Sequence, residues 1–243
     1  MTRKAFVGPV FCLLLAAPLA AAPFALPLYP PTTGEITVPL VAERFASFER
    51  DLRTLSAAFR QSVSSTGTGQ TQSVAGTFAF AKGDRMRIEH RTPDPQTLVC
   101  DGSRVWVWRP ANAQVIRAQL KAWKKSQPLA QGLLDFGGYT ALLKRYQVTI
   151  ATVSAPGPDG QRSLALALKP RSEPGRPEGD SYTLTLRLST RDFFPSESEL
   201  RMGEMTARTV LSDVRFNPDL PETLFQFQPP AGADVLDYPA APN

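Results

Sequence analysis

Few residues in this 243-residue chain belong to types that carry out chemistry. His90 is the only histidine, so a Ser-His-Asp or Cys-His arrangement would have to use it as the base. We place His90 on the polar face of a strand, in phase with the Arg and Glu residues around it, which predicts a solvated side chain. Glu197 and Glu199 are also expected to face solvent. These residues predict no active site.

The sequence also gives no support for a metal, cofactor or nucleic-acid site. Zinc sites need clusters of cysteine and histidine, which the sequence lacks. There is no P-loop, and the glycines within residues 67–69 lack the strand-to-helix context of a dinucleotide site. The net charge of +5 is mild, and we interpret the basic cluster at residues 121–125 as a solvated loop. The sequence therefore predicts a protein that is not an enzyme, with no metal, no cofactor and no nucleic-acid partner.

The N-terminus has the features of a secretory signal peptide. Residues 1–4 are positively charged, and an apolar run rich in Leu and Ala follows. Pro9 and Pro18 interrupt that run, which favours export with cleavage over a retained membrane anchor. Removal of residues 1–22 leaves Cys100 as the only cysteine, which excludes an internal disulfide and predicts a small buried apolar residue.

Two apolar segments have helical spacing. Residues 23–38, before the first of these segments, are rich in proline and show no periodicity, which predicts a flexible lead-in to the fold. Residues 39–62 carry apolar side chains at steps of three and four, which predicts an amphipathic helix of about five turns. Residues 129–143 predict one or two short helices. Both segments are expected to cover the sheet as lids, and the lid residues expected to face the rest of the fold are Phe45, Phe48, Leu52, Leu55, Phe59, Leu133, Leu134 and Leu142.

Most of the remaining sequence alternates with period two. About eleven short segments at hairpin spacing predict an antiparallel sheet in one domain of residues 39–238. A single sheet of that size must curl. The predicted class is mainly β (α+β): a single curved antiparallel sheet covered by the N-terminal helix and the short mid-chain helices. The predicted strands are residues 74–80, 86–88, 98–100, 105–108, 114–117, 146–153, 163–168, 182–188, 198–202, 206–216 and 224–227.

One face of the early strands carries a surplus of large apolar residues. If the sheet curls around that face, the interior is too wide for side chains to fill, which favours a cavity for an apolar ligand. An ordinary core with helices packed on the sheet accounts for the same pattern. The alternation of residues 105–108 does not show which face of the strand points inward, because Val105 and Val107 make one face apolar and Trp106 and Trp108 make the other face apolar. We assign the tryptophans to the interior. The candidate cavity residues are Phe78, Phe80, Met86, Ile88, Leu98, Trp106 and Trp108.

Four stretches, in order and spacing, resemble the periplasmic outer-membrane lipoprotein carriers of the Lol pathway (the LolA type). They are residues 52–61, 76–110, 127–134 and 213–235; the last, with F-x-F-x-P-P-x-G after N-P, is the most specific. The resemblance implies an incomplete β-barrel, closed by helices around a hydrophobic cavity that binds the acyl chains of a lipoprotein. It also implies a periplasmic, monomeric carrier that receives cargo from an inner-membrane ABC-type transporter and passes it to an outer-membrane lipoprotein receptor.

The chain departs from the family at the turn that the resemblance identifies as the lid latch. The family has Arg-Pro there, and this chain has Lys82 followed by glycine, which keeps the charge but loses the planar guanidinium. Met86 and Ile88 replace usual aromatic residues and keep the wall apolar. These differences predict a divergent carrier for lipoproteins or other acylated lipids. An envelope sensor of lipid or lipoprotein, and an enzyme with an apolar substrate cavity, remain as alternatives.

Overall fold

The computed structural model describes residues 28–126, 138–171 and 182–238. Within these ranges one twelve-stranded sheet dominates, accompanied by three α-helices. The helices are α1 (Val38–Asp51), α2 (Leu120–Ser126) and α3 (Tyr139–Arg145). The strands are β1 (Thr54–Ser65), β2 (Thr71–Ala81), β3 (Arg85–Thr92), β4 (Gln96–Asp101), β5 (Arg104–Arg109), β6 (Gln114–Gln119), β7 (Tyr146–Val153), β8 (Ser163–Pro170), β9 (Tyr182–Ser189), β10 (Pro195–Met202), β11 (Met205–Phe216) and β12 (Asp234–Asp237).

The strands lie in the order β12-β6-β5-β4-β3-β2-β1-β11-β10-β9-β8-β7. Neighbours are antiparallel, except for the parallel pair of β12 and β6. Two meanders, β1 to β6 and β7 to β11, meet where β1 pairs with β11. The sheet is curved but not closed into a barrel. The predicted fold class is confirmed, with twelve strands rather than about eleven.

The two faces of the sheet differ, and we call the face that packs against α1 and α3 the inner face. One row of cross-strand neighbours on this face runs through Phe78, Ile88, Leu98 and Val107. Side chains alternate between faces along each strand, so these pairings assign every other residue to the same side. The largest buried cluster contains residues of α1, α3 and the inner face of both meanders.

Helix α1 covers part of the inner face with a stripe of aromatic residues. Phe45 and Phe48 are buried, and their rings lie 5.1 Å and 6.1 Å from that of Tyr139 in α3. The ring of Phe48 also lies 5.6 Å from Phe194 and 5.8 Å from Phe216. The helix therefore joins α3 to the second meander through aromatic contacts, which have preferred geometries beyond simple burial.

The first helix is shorter than the sequence predicts. It ends at Asp51, and Leu55 and Phe59, which we assigned to the helix, lie in β1. Positions 55 and 59 are four apart, so they share a face in a strand as they nearly do in a helix. The strand is favoured because residues 54–65 pair with β2 on one side and β11 on the other, which satisfies backbone groups of all three strands.

Asn217 fixes the junction between α1 and β1. Its side-chain oxygen accepts hydrogen bonds from the backbone N–H groups of Arg53 at 2.6 Å and Thr54 at 3.2 Å. Its Nδ2 donates to the carbonyl oxygen of Asp51 at 3.1 Å. The φ of Asn217 is +54°, a left-handed conformation that asparagine adopts more readily than most residues. One side chain thus ends the helix and starts the strand.

The substitution Asn217→Ala is expected to lower the free energy of unfolding by about 2 kcal/mol, because several hydrogen bonds of roughly 0.5–1.5 kcal/mol each are lost. Chemical denaturation measures the change. Asn217→Gly loses the same bonds but adopts positive φ freely, so it should be slightly more stable than the alanine variant. An alanine variant as stable as the wild type would show that strand pairing alone sets this junction.

The segment after β11 crosses the outer face instead of forming the strand predicted at residues 224–227. It forms a 3-10 turn, Glu222–Phe225, with Phe225 buried against Ala79 and Ala81 of β2. Prolines at 221, 229 and 230 flank these four residues and cannot donate to a neighbouring strand, and no strand among the described residues pairs with residues 224–227, so the strand prediction is wrong.

The strand β12 was not predicted from the sequence. It is short and exposed, and it pairs with β6 at the edge of the sheet. Asp237 accepts two hydrogen bonds from Arg117 at 2.6 Å and 2.7 Å. These hydrogen bonds lower the pKa of Asp237. Four residues of mixed polarity carry too little pattern to be recognised without the partner strand.

Several sequence predictions lie outside the described residues. These are the signal peptide at residues 1–22, the start of the lead-in at 23–27, and the lid residues Leu133 and Leu134. Leu142, another predicted lid residue, is buried in α3. Among the described residues, no helix combines the length and apolar character needed to cross a membrane.

Candidate apolar binding face

Five of the seven candidate cavity residues lie on the inner face. Phe78, Phe80 and Ile88 are buried in the main cluster, and Met86 and Leu98 pack against it half-buried. This half of the inner face is filled by the protein's own side chains, including those of α1. Here, with α1 in place, the structure matches the interpretation of an ordinary packed core.

The other two candidates, Trp106 and Trp108, lie on the outer face, so our assignment of them to the interior is wrong. They pair with Val99 and Thr97 of β4, whereas Val105 and Val107 pair with Cys100 and Leu98 of the inner face. The Trp106 ring lies 5.9 Å from that of Phe227 in the segment that crosses this face. The tryptophans therefore hold the C-terminal segment on the outside of the sheet.

The turn between β4 and β5 sets this register. Asp101 accepts hydrogen bonds from the backbone N–H groups of Ser103 at 2.8 Å and Arg104 at 2.7 Å, and Gly102 has φ +95°. Partial burial opposes ionisation of Asp101, but these hydrogen bonds outweigh it and lower the pKa. A two-residue turn at 102–103 places Val105 opposite Cys100, so counting through the turn gives the correct face.

A second part of the inner face is apolar but only partly covered, and we call it the open apolar region. It lies at the far ends of β1, β2, β10 and β11 from α1, within the described residues. Its exposure is greatest at Met202 and Met205, which are 41% and 43% exposed and pair with each other across the β10–β11 turn. The region consists of Phe59, Val63, Val74, Leu200, Met202, Met205 and Ala207. Most of these residues are not among the candidate cavity residues predicted from the sequence, which all lie in β2 to β5.

His90 lies on the inner face, so the prediction of a solvated surface histidine is wrong. Met86, Ile88 and His90 are two residues apart and therefore share a face of β3. The His90 ring lies 5.6 Å from the ring of Phe59, edge to face, and burial lowers the pKa of the imidazole. Gly76 of β2 lies between these two residues in the sheet, and a Cβ there would come within 2.0 Å of the Glu89 carbonyl oxygen.

The remaining candidate chemical groups are inert or paired. Cys100 is buried as predicted, and burial raises the pKa of its thiol, which disfavours the reactive thiolate. Glu197 is not simply solvated: it accepts hydrogen bonds from Arg208 at 2.9 Å and 3.0 Å and from Arg187 at 3.1 Å. Hydrogen bonds from Arg208 are the main cause of its lowered pKa. Glu199 pairs with Arg201 at 2.7 Å.

Lys82, the candidate latch residue, contacts the end of α1. Its Nζ donates a hydrogen bond to the backbone carbonyl oxygen of Arg50 at 2.9 Å, in the last turn of the helix. Carbonyl groups in a last turn have no partner within the helix, and cations are favourable at that end. Lys82 is exposed, so this contact joins the β2–β3 turn to α1 from outside the core.

We expect Lys82→Met to lower the free energy of unfolding by less than about 1 kcal/mol, because the hydrogen bond is exposed to water. If the contact holds α1 closed, the same variant should take up a fluorescent acyl probe several-fold faster in stopped-flow mixing. Lys82→Arg is the control, because it keeps a donor and the charge. Equal uptake rates in all three proteins would show that Lys82 does not restrain the helix.

The fold and this face define a class of protein. Proteins of this class have an open, curved antiparallel sheet with an apolar inner face. Here a helix covers one part of that face, and another part is only partly covered. In the described residues no group of three or more His, Cys, Asp or Glu side chains is placed to hold a metal ion. The apolar side chains of the inner face suit it to contact apolar molecules.

Comparison with known proteins gives the family. The family model described as outer membrane lipoprotein carrier protein LolA matches residues 50–172, just over half of the chain. The chain belongs to this family. An outer-membrane lipoprotein carrier protein from Albidiferax ferrireducens is 30% identical over 195 residues, which covers 78% of this chain and 87% of the relative. A protein of the same name from Chromobacterium violaceum is 29% identical over 230 residues, covering 94% and 98%.

Solved structures with similar folds were also found. A LolA superfamily protein from Nitrosomonas europaea aligns with a TM-score of 0.41 at 14% identity, covering 79% of this chain and 99% of that one. An uncharacterised conserved protein from Thermus thermophilus aligns with a TM-score of 0.49 at 14% identity, covering 82% and 97%. The family assignment rests on the sequence matches.

Proposed function

We propose that the protein carries acylated lipoproteins, or other acylated lipids, across the periplasm by holding their acyl chains against the inner face. Family membership supports this function, and the single structural observation that carries it is the open apolar region. Seven apolar side chains there face inward without a full cover among the described residues, and two are strongly exposed methionines. Methionine is flexible and adapts its shape to irregular apolar partners.

The energetics of a lipid anchor require such a surface. Each buried methylene of an acyl chain contributes about 0.8 kcal/mol, so two or three chains resist transfer into water by tens of kcal/mol. A carrier must cover a comparable area and still release the cargo. The open apolar region alone is small, so we expect a loaded protein to use the packed half of the inner face as well.

Movement of α1 would supply that additional area. Phe45 and Phe48 fill the packed half, and cargo chains would replace them against Phe78, Phe80 and Ile88. The helix is held by those side chains, by a hydrogen bond from the backbone N–H of Thr140 to Glu49 and by the exposed Lys82 contact, and the Asp51–Thr54 junction would be its hinge. Such an element has two arrangements, packed when the protein is empty and displaced when it is loaded.

The route and partners of the carrier form part of the same proposal. Residues 1–22 direct export to the periplasm, and residues 39–238 form the monomeric carrier domain. An inner-membrane ABC-type transporter loads the cargo, and an outer-membrane lipoprotein receptor accepts it. The protein itself transforms no substrate and needs no cofactor.

Native mass spectrometry of protein purified gently from the periplasm tests the proposal. We expect a mature chain without residues 1–22, and a fraction carrying extra mass that matches an acylated lipoprotein or lipid. A delipidated sample should regain that mass after incubation with a triacylated lipopeptide. A protein that purifies empty and remains empty after incubation would overturn the carrier function.

A further inference from the structure

Three uncharged polar residues lie together in the middle of the apolar inner face. Gln61 of β1 pairs across the sheet with Thr209 of β11, which pairs in turn with Ser198 of β10. The Nε2 of Gln61 donates a hydrogen bond to the Thr209 hydroxyl at 3.0 Å. All three residues are half-buried. We call them the polar trio.

Apolar residues lie beside the polar trio along β1 and β11, in the neighbouring strands β2 and β9, and on one side along β10. Along β1 and β11, Phe59 and Leu211 adjoin the trio on one side and pack against the main buried cluster, and Val63 and Ala207 adjoin it on the other side. Across the sheet, Val74 lies beside Gln61 and Leu186 beside Ser198. These inward neighbours are Phe59, Leu211, Val63, Ala207, Leu200, Val74 and Leu186.

The polar trio retains hydrogen-bonding capacity after its internal bond. One N–H of Gln61 and its carbonyl oxygen remain, and the Thr209 hydroxyl can still donate its proton. Ser198 makes no side-chain hydrogen bond to other residues in the part of the chain that the structure describes. Water can satisfy half-buried groups in the empty protein. A lipid lying on this face would remove that water, at a cost of roughly 1–3 kcal/mol for each group left without a partner.

We infer that the polar trio is the subsite for the neutral carbonyl groups that join acyl chains to the head of a lipid. This inference rests on the proposed carrier function and specifies where its ligand is recognised. Ester and amide carbonyl oxygens accept hydrogen bonds, and the trio offers amide N–H and hydroxyl donors. Its members are uncharged, which suits a neutral linkage better than a phosphate. A few placed polar groups in an apolar site fix the orientation of a ligand.

This position has a structural consequence for the cargo. With the carbonyl groups at the trio, acyl chains can lie along the open apolar region, and they can also extend toward the packed core once α1 has moved.

Two lipids that differ only in the carbonyl groups provide the test. Dipalmitoylglycerol has ester linkages, and dihexadecylglycerol has ether linkages on chains of the same length. We expect the wild-type protein to bind the ester lipid about tenfold more tightly in competition with a fluorescent acyl probe, as expected for one or two hydrogen bonds. A palmitoylated peptide against its hexadecylamine-derived analogue extends the comparison to amide carbonyls.

The double variant Gln61→Leu with Thr209→Val should bind both glycerolipids with nearly equal affinity. Thr209→Val alone keeps the side-chain shape, and Ser198→Ala removes one donor, so these variants give the answer if the double variant does not fold. A variant that loses affinity for both lipids equally, or a wild-type protein with no ester preference, would overturn the subsite. A wild-type protein that binds neither lipid nor peptide would instead overturn the carrier function itself.

Discussion

Replacing Met202 and Met205 together by glutamate is expected to weaken binding of a fluorescent acyl probe at least about hundredfold. The two side chains are 41% and 43% exposed on the inner face, so the folded protein can carry charge there. An acyl chain lying against them would remove water from the carboxylates, which costs several kcal/mol, and about 1.4 kcal/mol corresponds to tenfold in affinity. Probe titration, with thermal unfolding as the check on folding, measures the effect.

Val210→Glu is the matched control for the methionine variant. Val210 lies in β11 like Met205 and is 38% exposed, but it pairs with Arg60 and Glu197 on the outer face. It should keep full probe affinity. If both variants bind normally, acyl chains do not contact the open apolar region. If both lose binding equally, the loss reflects the added charge and not the face of the sheet.

The second large effect is expected from Phe48→Ala, which should lower stability and raise acyl-probe affinity at the same time. Phe48 is buried against Tyr139, Phe194 and Phe216, and loss of a buried phenylalanine typically costs about 3–5 kcal/mol. Phe48 makes these contacts when α1 is packed, so the substitution destabilises mainly the packed arrangement. A probe that binds when α1 is displaced should therefore bind at least about tenfold more tightly. Urea denaturation and probe titration give the two quantities.

Phe225→Ala distinguishes displacement of the helix from general weakening. Phe225 is buried to a similar degree, but it lies on the outer face against Ala79 and Ala81. We expect a comparable loss of stability with no gain in probe affinity. A similar gain in both variants would mean that any destabilisation opens the inner face, and no gain in either would argue against movement of α1.

The sequence predicted the sheet well where alternation was strong and turns were marked. The strands β2 to β11 all contain a predicted segment, because each keeps period two over several residues. β1 was not predicted, because the apolar residues 52, 55 and 59 have the spacing of a helix. Only the pairing with β2 and β11 shows that the segment is a strand. β12 and the outer-face segment depend on contacts distant in sequence, which no local pattern reports.

The site was harder to predict than the fold. A strand has two faces, and identifying the inner one requires the register of its neighbours. Phe78, Phe80 and Ile88 lie on the inner face as assigned, because the opposite face of β3 is charged and the alternate residues of β2 are small. Trp106 and Trp108 were misplaced because both faces of β5 are apolar, although counting through the Gly102 turn would have placed them. His90 lies two residues after Ile88, so the sequence also indicated that the two side chains share a face.

Photocrosslinking with an acyl lipid tests most directly whether the inner face holds acyl chains. A diazirine near the end of a palmitoyl chain would be activated in the loaded wild-type protein, and the modified peptides would be identified by mass spectrometry. We expect modification of inner-face residues in β1, β10 and β11, with Phe59, Leu200 and Met205 among them. Modification confined to the outer face, around Trp106 and Phe227, would contradict binding by the inner face.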